Sequence, residues 1–371
     1  MTKRLMEGSE AIAEAAIACG CRFFAGYPMT PFTELLENFA KKLPAVGGVC
    51  VNAESELEAV GMAWGALATG ARAATGSTGQ GLSLMQESFS EITLAELPLV
   101  AFNMARGQGD YFQSTRGGGH GDYRHIVLAP MDIGEAVELT QLAFHLADVW
   151  RTPVLVQGDY LLAHTAEAVD VTPLDFGPPV VKEWAVDGST GGSGGSKVIS
   201  PLGIGKTNTP GPGIEGQQQA VADKMARIAA GEAGGAGSPG EARAESGFLD
   251  DAEHVVVAFG TPAKFVRYAV RRLRDQGLRV GYVRPITLWP FPADAVAAAA
   301  TGKRSVLVFE LNAGQMIDDV RLAVLGRADV RFIGGISTDH AGFGVGALLD
   351  VEVIARRIEA AISQEHEGVR A

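Results

Sequence analysis

Glu54, Ser55 and Glu56 stand together at the start of a run of small and apolar residues: Leu57, Val60, Met62 and the alanine–glycine series to Ala71. The run predicts a helix, and acids at its N-terminus have an ordinary explanation as a cap favoured by the helix dipole. The glycine and alanine content argues for more, because it lets other backbones approach closely. Thr30 lies in the turn Gly26-Tyr27-Pro28-Met29-Thr30-Pro31, where two prolines leave it few conformations. A second glycine-rich turn, Gly76-Ser-Thr-Gly-Gln-Gly81, contains Gln80. Arg106 follows the apolar stretch Leu99–Met104 and projects from a strand end, where a guanidinium can grip a carboxylate with two hydrogen bonds. The plainer reading of Arg106 is a surface arginine beside an acid. His120, in Gly-Gly-Gly-His, suits acid–base work near neutral pH, or else staples its loop by a hydrogen bond. No HxxxH pair or His/Asp/Glu cluster marks a metal site built by this chain.

These residues need a scaffold that brings strand ends together. Strands are predicted at Cys21–Ala25, Gly48–Asn52, Arg72–Thr75, Leu99–Met104 and Thr152–Gln157. Helices at residues 7–19, Pro31–Lys42, Gln80–Leu97 and Gly134–Asp148 alternate with them. Strands separated by helices and joined by glycine turns imply a parallel sheet with active loops at its carboxyl edge. Residues 105–130 are too long for a neutral connector. Sixteen of the chain's 48 glycines fall in residues 186–247, which marks a linker or wrap rather than a core. One helical patch, Gln217–Ala230, interrupts it. The segment GIGKTNTPGPG (203–213) lacks phosphate-loop spacing. From His254 the alternation resumes, with strands at His254–Phe259, Arg279–Val283, Ser305–Phe309 and Val330–Ile333. The expected organisation is α/β, with two parallel-sheet domains at residues 1–165 and 251–371 and a glycine-rich connector at 166–250.

The motifs GYPMTP (26–31), ESE (54–56) with GALATGARA (65–73), and STGQGLSLMQE (77–87) resemble the pyrimidine-binding half of thiamine-diphosphate enzymes. The closest likeness is to the alpha subunit of 2-oxoacid:ferredoxin oxidoreductases. RPITLWPFP (284–292) and ELNAGQM (310–316) resemble the transketolase-like C-terminal domain of the same subunits. The resemblance implies that Glu56 hydrogen-bonds the N1′ nitrogen of the aminopyrimidine, with Glu54 the runner-up. That bond favours the imino tautomer, whose nitrogen takes the thiazolium C2 proton. It further implies cofactor contacts from Tyr27, Pro28, Thr30 and Gln80, and 2-oxoacid contacts from Thr30, Arg106 and His120. Phe32 is expected to alter the pocket. QGDYFQSTRGGGHGDYR (108–124) is similar to the branched-chain, 3-methyl-2-oxobutanoate subclass, with aromatic 2-oxoacids and 2-oxoglutarate behind.

Composition limits the rest. With 47% hydrophobic and 20% charged residues, most of the chain should fold. A net charge of −12 argues against nucleic acid and anionic membranes as partners. Three cysteines, Cys19, Cys21 and Cys50, form no CxxC pair, cannot hold a four-cysteine iron–sulfur cluster, and fit a reducing cytoplasm. No segment reads as a signal peptide or a membrane span. The diphosphate signature, GDG followed by a later asparagine, is absent: no asparagine occurs between Asn103 and Asn208. The resemblance therefore implies a beta subunit that holds the diphosphate, its Mg2+ and a [4Fe-4S] cluster, in a hetero-oligomer such as (alpha-beta)2, with gamma or delta subunits as further members. Coenzyme A is the expected cosubstrate and ferredoxin the expected acceptor. Two other readings stay open: the beta subunit of a lipoamide-linked 2-oxoacid dehydrogenase, and a non-catalytic scaffold subunit.

Overall fold

The computed structural model describes residues 3–186, 211–232, 241–340, 342 and 345–368. The glycine runs 188–196 and 234–240 and most of 203–213 lie outside the described residues.

Seven strands make the first sheet, in the spatial order Thr287–Trp289, Ile126–Leu128, Val154–Asp159, Val100–Ala105, Arg72–Ser77, Cys21–Gly26, Val49–Asn52. Six run parallel, and Thr287–Trp289 joins the edge antiparallel. The central strand Val100–Ala105 is buried at every position, as expected of a parallel strand covered by helices on both faces. Phe24 and Phe39 stack with ring centroids 3.9 Å apart under that cover, and Phe102 lies beside them. Phe32 belongs to this cluster, fully buried and 6.0 Å from Phe24. It fills core and does not line the pocket, contrary to expectation, because its ring packs under Gly26 and Gly76, where a Cβ would collide with it.

The second sheet has five strands, ordered Asp329–Phe332, Ser305–Val308, His254–Val257, Val280–Pro285, Ala244–Gly247, the last antiparallel. The expected connector is more structured than its glycine content suggests. Its first residues, Ala166–Val169, pair antiparallel with Arg4–Glu7. Its helix, Gly213–Ala230, buries Val221, Met225 and Ile228 against the first domain, and Lys224 Nζ reaches Glu96 at 2.7 Å. Three apolar residues at helical spacing supply a buried face within a polar segment.

The two sheets are tied by the motif RPITLWPFP. After the second-sheet strand Val280–Pro285, the chain crosses and contributes Thr287–Trp289 to the first sheet. Arg284 is sealed at the crossing, bonded to both oxygens of Glu135 at 2.7 Å and to Glu245 at 2.8 Å. Burial opposes its charge, but the two carboxylates prevail and raise its pKa above the ordinary arginine value. A buried pair of this kind holds a geometry, since losing either partner strands a charge in low dielectric.

Candidate functional site

The strands Cys21–Gly26, Val49–Asn52, Arg72–Ser77 and Val100–Ala105 are neighbours, so the turns after them meet at one edge. From Cys21–Gly26 the chain adds a strand on one side, then crosses to add Arg72–Ser77 on the other. Such a reversal opens a crevice at the carboxyl ends of the strands. Side chains hold the turns in register. Thr75 Oγ1 donates to Ala25 O at 2.8 Å, and the Thr78 hydroxyl lies 2.8 Å from Met29 Sδ and 3.1 Å from Gln80 Oε1. Arg106 Nε donates to Thr30 O at 3.0 Å, linking the first turn to the last.

Glu56 opens the helix Glu56–Ala68 but does not cap it. Ser55 is the cap residue, its Oγ accepting from Glu58 N at 3.3 Å, while Glu58 Oε2 accepts from Glu54 N at 3.0 Å. This near-reciprocal arrangement leaves Glu56 without a capping duty. Its carboxylate turns inward, 3% exposed, and accepts from Ser77 Oγ at 3.1 Å. Its second oxygen takes no donor from the described residues. Gly81 makes this possible, because a Cβ there would overlap both Glu56 Oε1 and Ser77 Oγ. Glu54, by contrast, points to solvent.

Arg106, Gln80, Gly79 and Asp110 face Leu311, Asn312, Ala313 and Gln315 across a cleft of about 350 Å³ between the two sheets. Arg106 is the single cation on its described walls. Burial pushes the Asp110 carboxyl up from its ordinary range, against the bond from Asn103 Nδ2 at 3.1 Å and the attraction of Arg106. Tyr27, Pro28 and Thr30 are exposed at the adjoining strand end, Tyr27 at 36%. The structure thus gathers Tyr27, Pro28, Thr30, Glu56, Gln80 and Arg106 at one sheet edge.

His120 is not with them. Its Nε2 lies 2.6 Å from Glu91 Oε1 on the helix Gln86–Ala95, and the following Gly121 packs against Gln218 of the helix Gly213–Ala230. The acid partner holds the imidazole outside the lining of that cleft, where His120 fastens its loop. Ser77, Gly81, Asp110 and Asn312 join the site without having been expected there. Gly81 and Ser77 sit inside the noted turn, and Asp110 and Asn312 inside noted motifs, but no periodicity singles them out.

Residues 14–230 match the family described as Pyruvate flavodoxin/ferredoxin oxidoreductase, thiamine diP-bdg, and residues 252–341 match Pyruvate:ferredoxin oxidoreductase core domain II. The chain is 38% identical over 333 residues to ketoisovalerate oxidoreductase subunit VorB of Methanothermobacter thermautotrophicus, covering 87% of this chain and 90% of that one. It is 35% identical over 361 residues to 2-oxoglutarate synthase subunit KorA of the same organism, covering 88% and 93%. A solved 2-oxoglutarate:ferredoxin oxidoreductase from Magnetococcus marinus, with 2-oxoglutarate, coenzyme A and succinyl-CoA bound, superposes with a TM-score of 0.76 at 25% identity. That match covers 97% of this chain and 65% of the other. A split-gene transketolase shares the fold, with a TM-score of 0.58 at 13% identity over 95% of this chain and 98% of that one.

Proposed function

The chain belongs to the pyruvate flavodoxin/ferredoxin oxidoreductase family, and on that premise we propose how its own residues serve the oxidative decarboxylation of a 2-oxoacid to an acyl-CoA. It is a subunit of a 2-oxoacid:ferredoxin oxidoreductase, and its relatives do not favour the lipoamide-linked reading. Thiamine diphosphate, when bound, supplies the nucleophile and the electron sink of the reaction. The residues fit one end of it. Glu56 is a buried carboxyl released from capping, with one oxygen on Ser77 and the other undonated, suited to share a proton with the pyrimidine N1′. Tyr27, Pro28, Thr30 and Gln80 form the turns beside it. Arg106 grips the carboxylate of the 2-oxoacid.

The observation that carries the substrate class is the lone cation on the described walls of the cleft. A 2-oxo dicarboxylate would set its second carboxylate against Leu311, Ala313 and Ile336, with the acid Asp110 the other charged residue on the described walls besides Arg106. A branched-chain 2-oxoacid leaves only an apolar tail there. The diphosphate, its Mg2+ and a [4Fe-4S] cluster belong on a partner subunit, with ferredoxin as acceptor, in a hetero-oligomer such as (alpha-beta)2. The three free cysteines suit the cytoplasm. Among the described residues, no helix is long and apolar enough to cross a membrane. The test is a 2-oxoacid panel assayed on the chain co-purified with its cluster-bearing partner, with coenzyme A and a viologen dye. The highest kcat/KM is expected for 3-methyl-2-oxobutanoate and its homologues. A preference for 2-oxoglutarate would reject the substrate class.

A further inference from the structure

Arg106 is held by more than its own sheet. The strand before it ends at Ala105, paired with Asp159, and Gly107 is fully extended, with open space where a Cβ would stand. Beyond the anchored Ala105, Gly107 itself puts no contact against the chain. The next residue does. Gln108 is 5% exposed, and both ends of its side-chain amide bond across to the other sheet, as does its carbonyl. Its Nε2 donates to Phe259 O at 2.9 Å, its Oε1 accepts from Leu311 N at 2.8 Å, and its carbonyl oxygen accepts from Asn312 Nδ2 at 2.9 Å.

The same turn grips further along. Gln315 Nε2 donates to Gly109 O at 2.8 Å, and Gln315 Oε1 accepts from Phe112 N at 2.8 Å. Asn312 is itself fixed, donating to Glu310 Oε2 at 2.8 Å and accepting from Gly314 N at 2.7 Å. The motif QGDYFQ is thus clasped by the motif ELNAGQM, immediately beside the cleft that both line.

We propose that the 310–315 turn of the second sheet is the positioning frame for Arg106, with Gln108 and Asn312 the positioning residues. The second domain thereby takes part in recognising the substrate carboxylate. The proposal rests on Arg106 as the carboxylate clamp. A guanidinium that must meet two oxygens in one plane loses its fit with a small shift of its backbone, whereas cofactor bound at the Glu56 end does not feel that shift.

The experiment uses the complex with its partner subunit and compares Gln108→Met, Gln315→Met and Arg106→Lys. Gln108→Met keeps the length of the side chain and removes both of its bonds. It should raise KM for the 2-oxoacid about tenfold, with kcat and thiamine-diphosphate affinity within about twofold. Gln315→Met, on a half-buried residue and safer for folding, should raise KM about threefold by the same route. Combined with Arg106→Lys, Gln108→Met should add little, because the clamp it aims is already lost. Folded variants with an unmoved KM would overturn the frame while leaving the clamp standing. A double variant whose KM rises by the product of the two would also overturn it. An unmoved KM in Arg106→Lys would overturn the clamp and the frame together.

Discussion

Glu56 and Glu310 are both buried acids beside the first turn of a helix at the carboxyl edge of a sheet, and their surroundings are opposite. Glu310, fully buried, accepts from the backbone N–H groups of Gln315, Met316 and Ile317 at 3.0, 2.8 and 3.1 Å, and from Asn312 Nδ2. It does for the helix Met316–Val324 what Ser55 and Glu58 do for the helix Glu56–Ala68. Glu56, equally hidden, has one donor among the described residues, Ser77. A carboxylate whose lone pairs are filled by the fold is a structural cap. One left with an unfilled oxygen in a slot that Gly81 keeps open is ready for a ligand.

The largest effect expected from breaking this comparison is on turnover. Glu56→Gln keeps shape and the Ser77 bond but cannot share the proton, so kcat should fall by roughly two to four orders of magnitude. The melting temperature should move little, because no cap or core contact is lost. Stopped-flow turnover and thermal denaturation of the same complex decide it. Near-normal turnover would end the assignment of Glu56.

Glu310→Ala should show the mirror image. Removing the cap leaves three backbone N–H groups at the helix start and one of the two N–H groups of the Asn312 amide without an acceptor, at a cost of about 4 kcal/mol in stability. Scanning calorimetry should register this as a clear drop in melting temperature. A melting point within about a degree of the parent would mean that water or a neighbour replaces the carboxylate.

His125 extends the comparison to a buried base. Its ring lies 5.5 Å from Phe89 and 5.9 Å from Tyr123, and neither nitrogen makes a well-formed hydrogen bond among the described residues. Burial outweighs a backbone contact at Ser114 and holds its pKa down to about 4, against an ordinary value of 6.5. The unfolded chain therefore binds this proton first as pH falls. The stability that His125 contributes is complete above about pH 6.5 and is lost toward about pH 4, by on the order of 3 kcal/mol. Urea titrations of the parent and His125→Phe across that window should differ in slope, and parallel curves would refute the point.

What is legible in the sequence follows the same division. Chemistry-bearing residues at strand ends are readable, because glycine and proline turns between apolar runs mark where a sheet ends. Thr30 and Arg106 stand out that way, whereas it is the family resemblance that singles out Glu56 from Glu54. The spacing Ser55-x-x-Glu58 is that of a capping box, but the acids at this helix start stay open to a capping role in the sequence, and it is the structure that gives the cap to Ser55 and Glu58. Long-range pairings leave no such trace. The antiparallel strand Thr287–Trp289 is three residues long and sits beyond the expected domain boundary, so alternation cannot assign it to the first sheet. The clasp of Gln108 by Leu311 and Asn312 joins residues about two hundred positions apart, and His120 is drawn to Glu91 by an acid that loop composition does not announce. Motif likeness names both partners of the clasp but not that they meet.

The smallest effect belongs to Glu54, the acid that the sequence offers as an alternative to Glu56. It lies one residue before the cap, exposed, and the structure uses its backbone rather than its carboxylate: Glu54 N donates to Glu58 Oε2. Glu54→Gln removes one screened charge near a helix N-terminus, worth about 0.5 kcal/mol, and leaves that backbone bond in place. Turnover should stay within about twofold of the parent, a change too small for loss of a proton-sharing group. Glu58→Ala separates cap from chemistry on the same turn, since it removes the acceptor of that bond, costs about 1 kcal/mol in stability and spares kcat. If Glu54→Gln instead lost turnover as deeply as Glu56→Gln, burial and an unfilled oxygen would not identify the working acid. The proton would then be shared outside the slot.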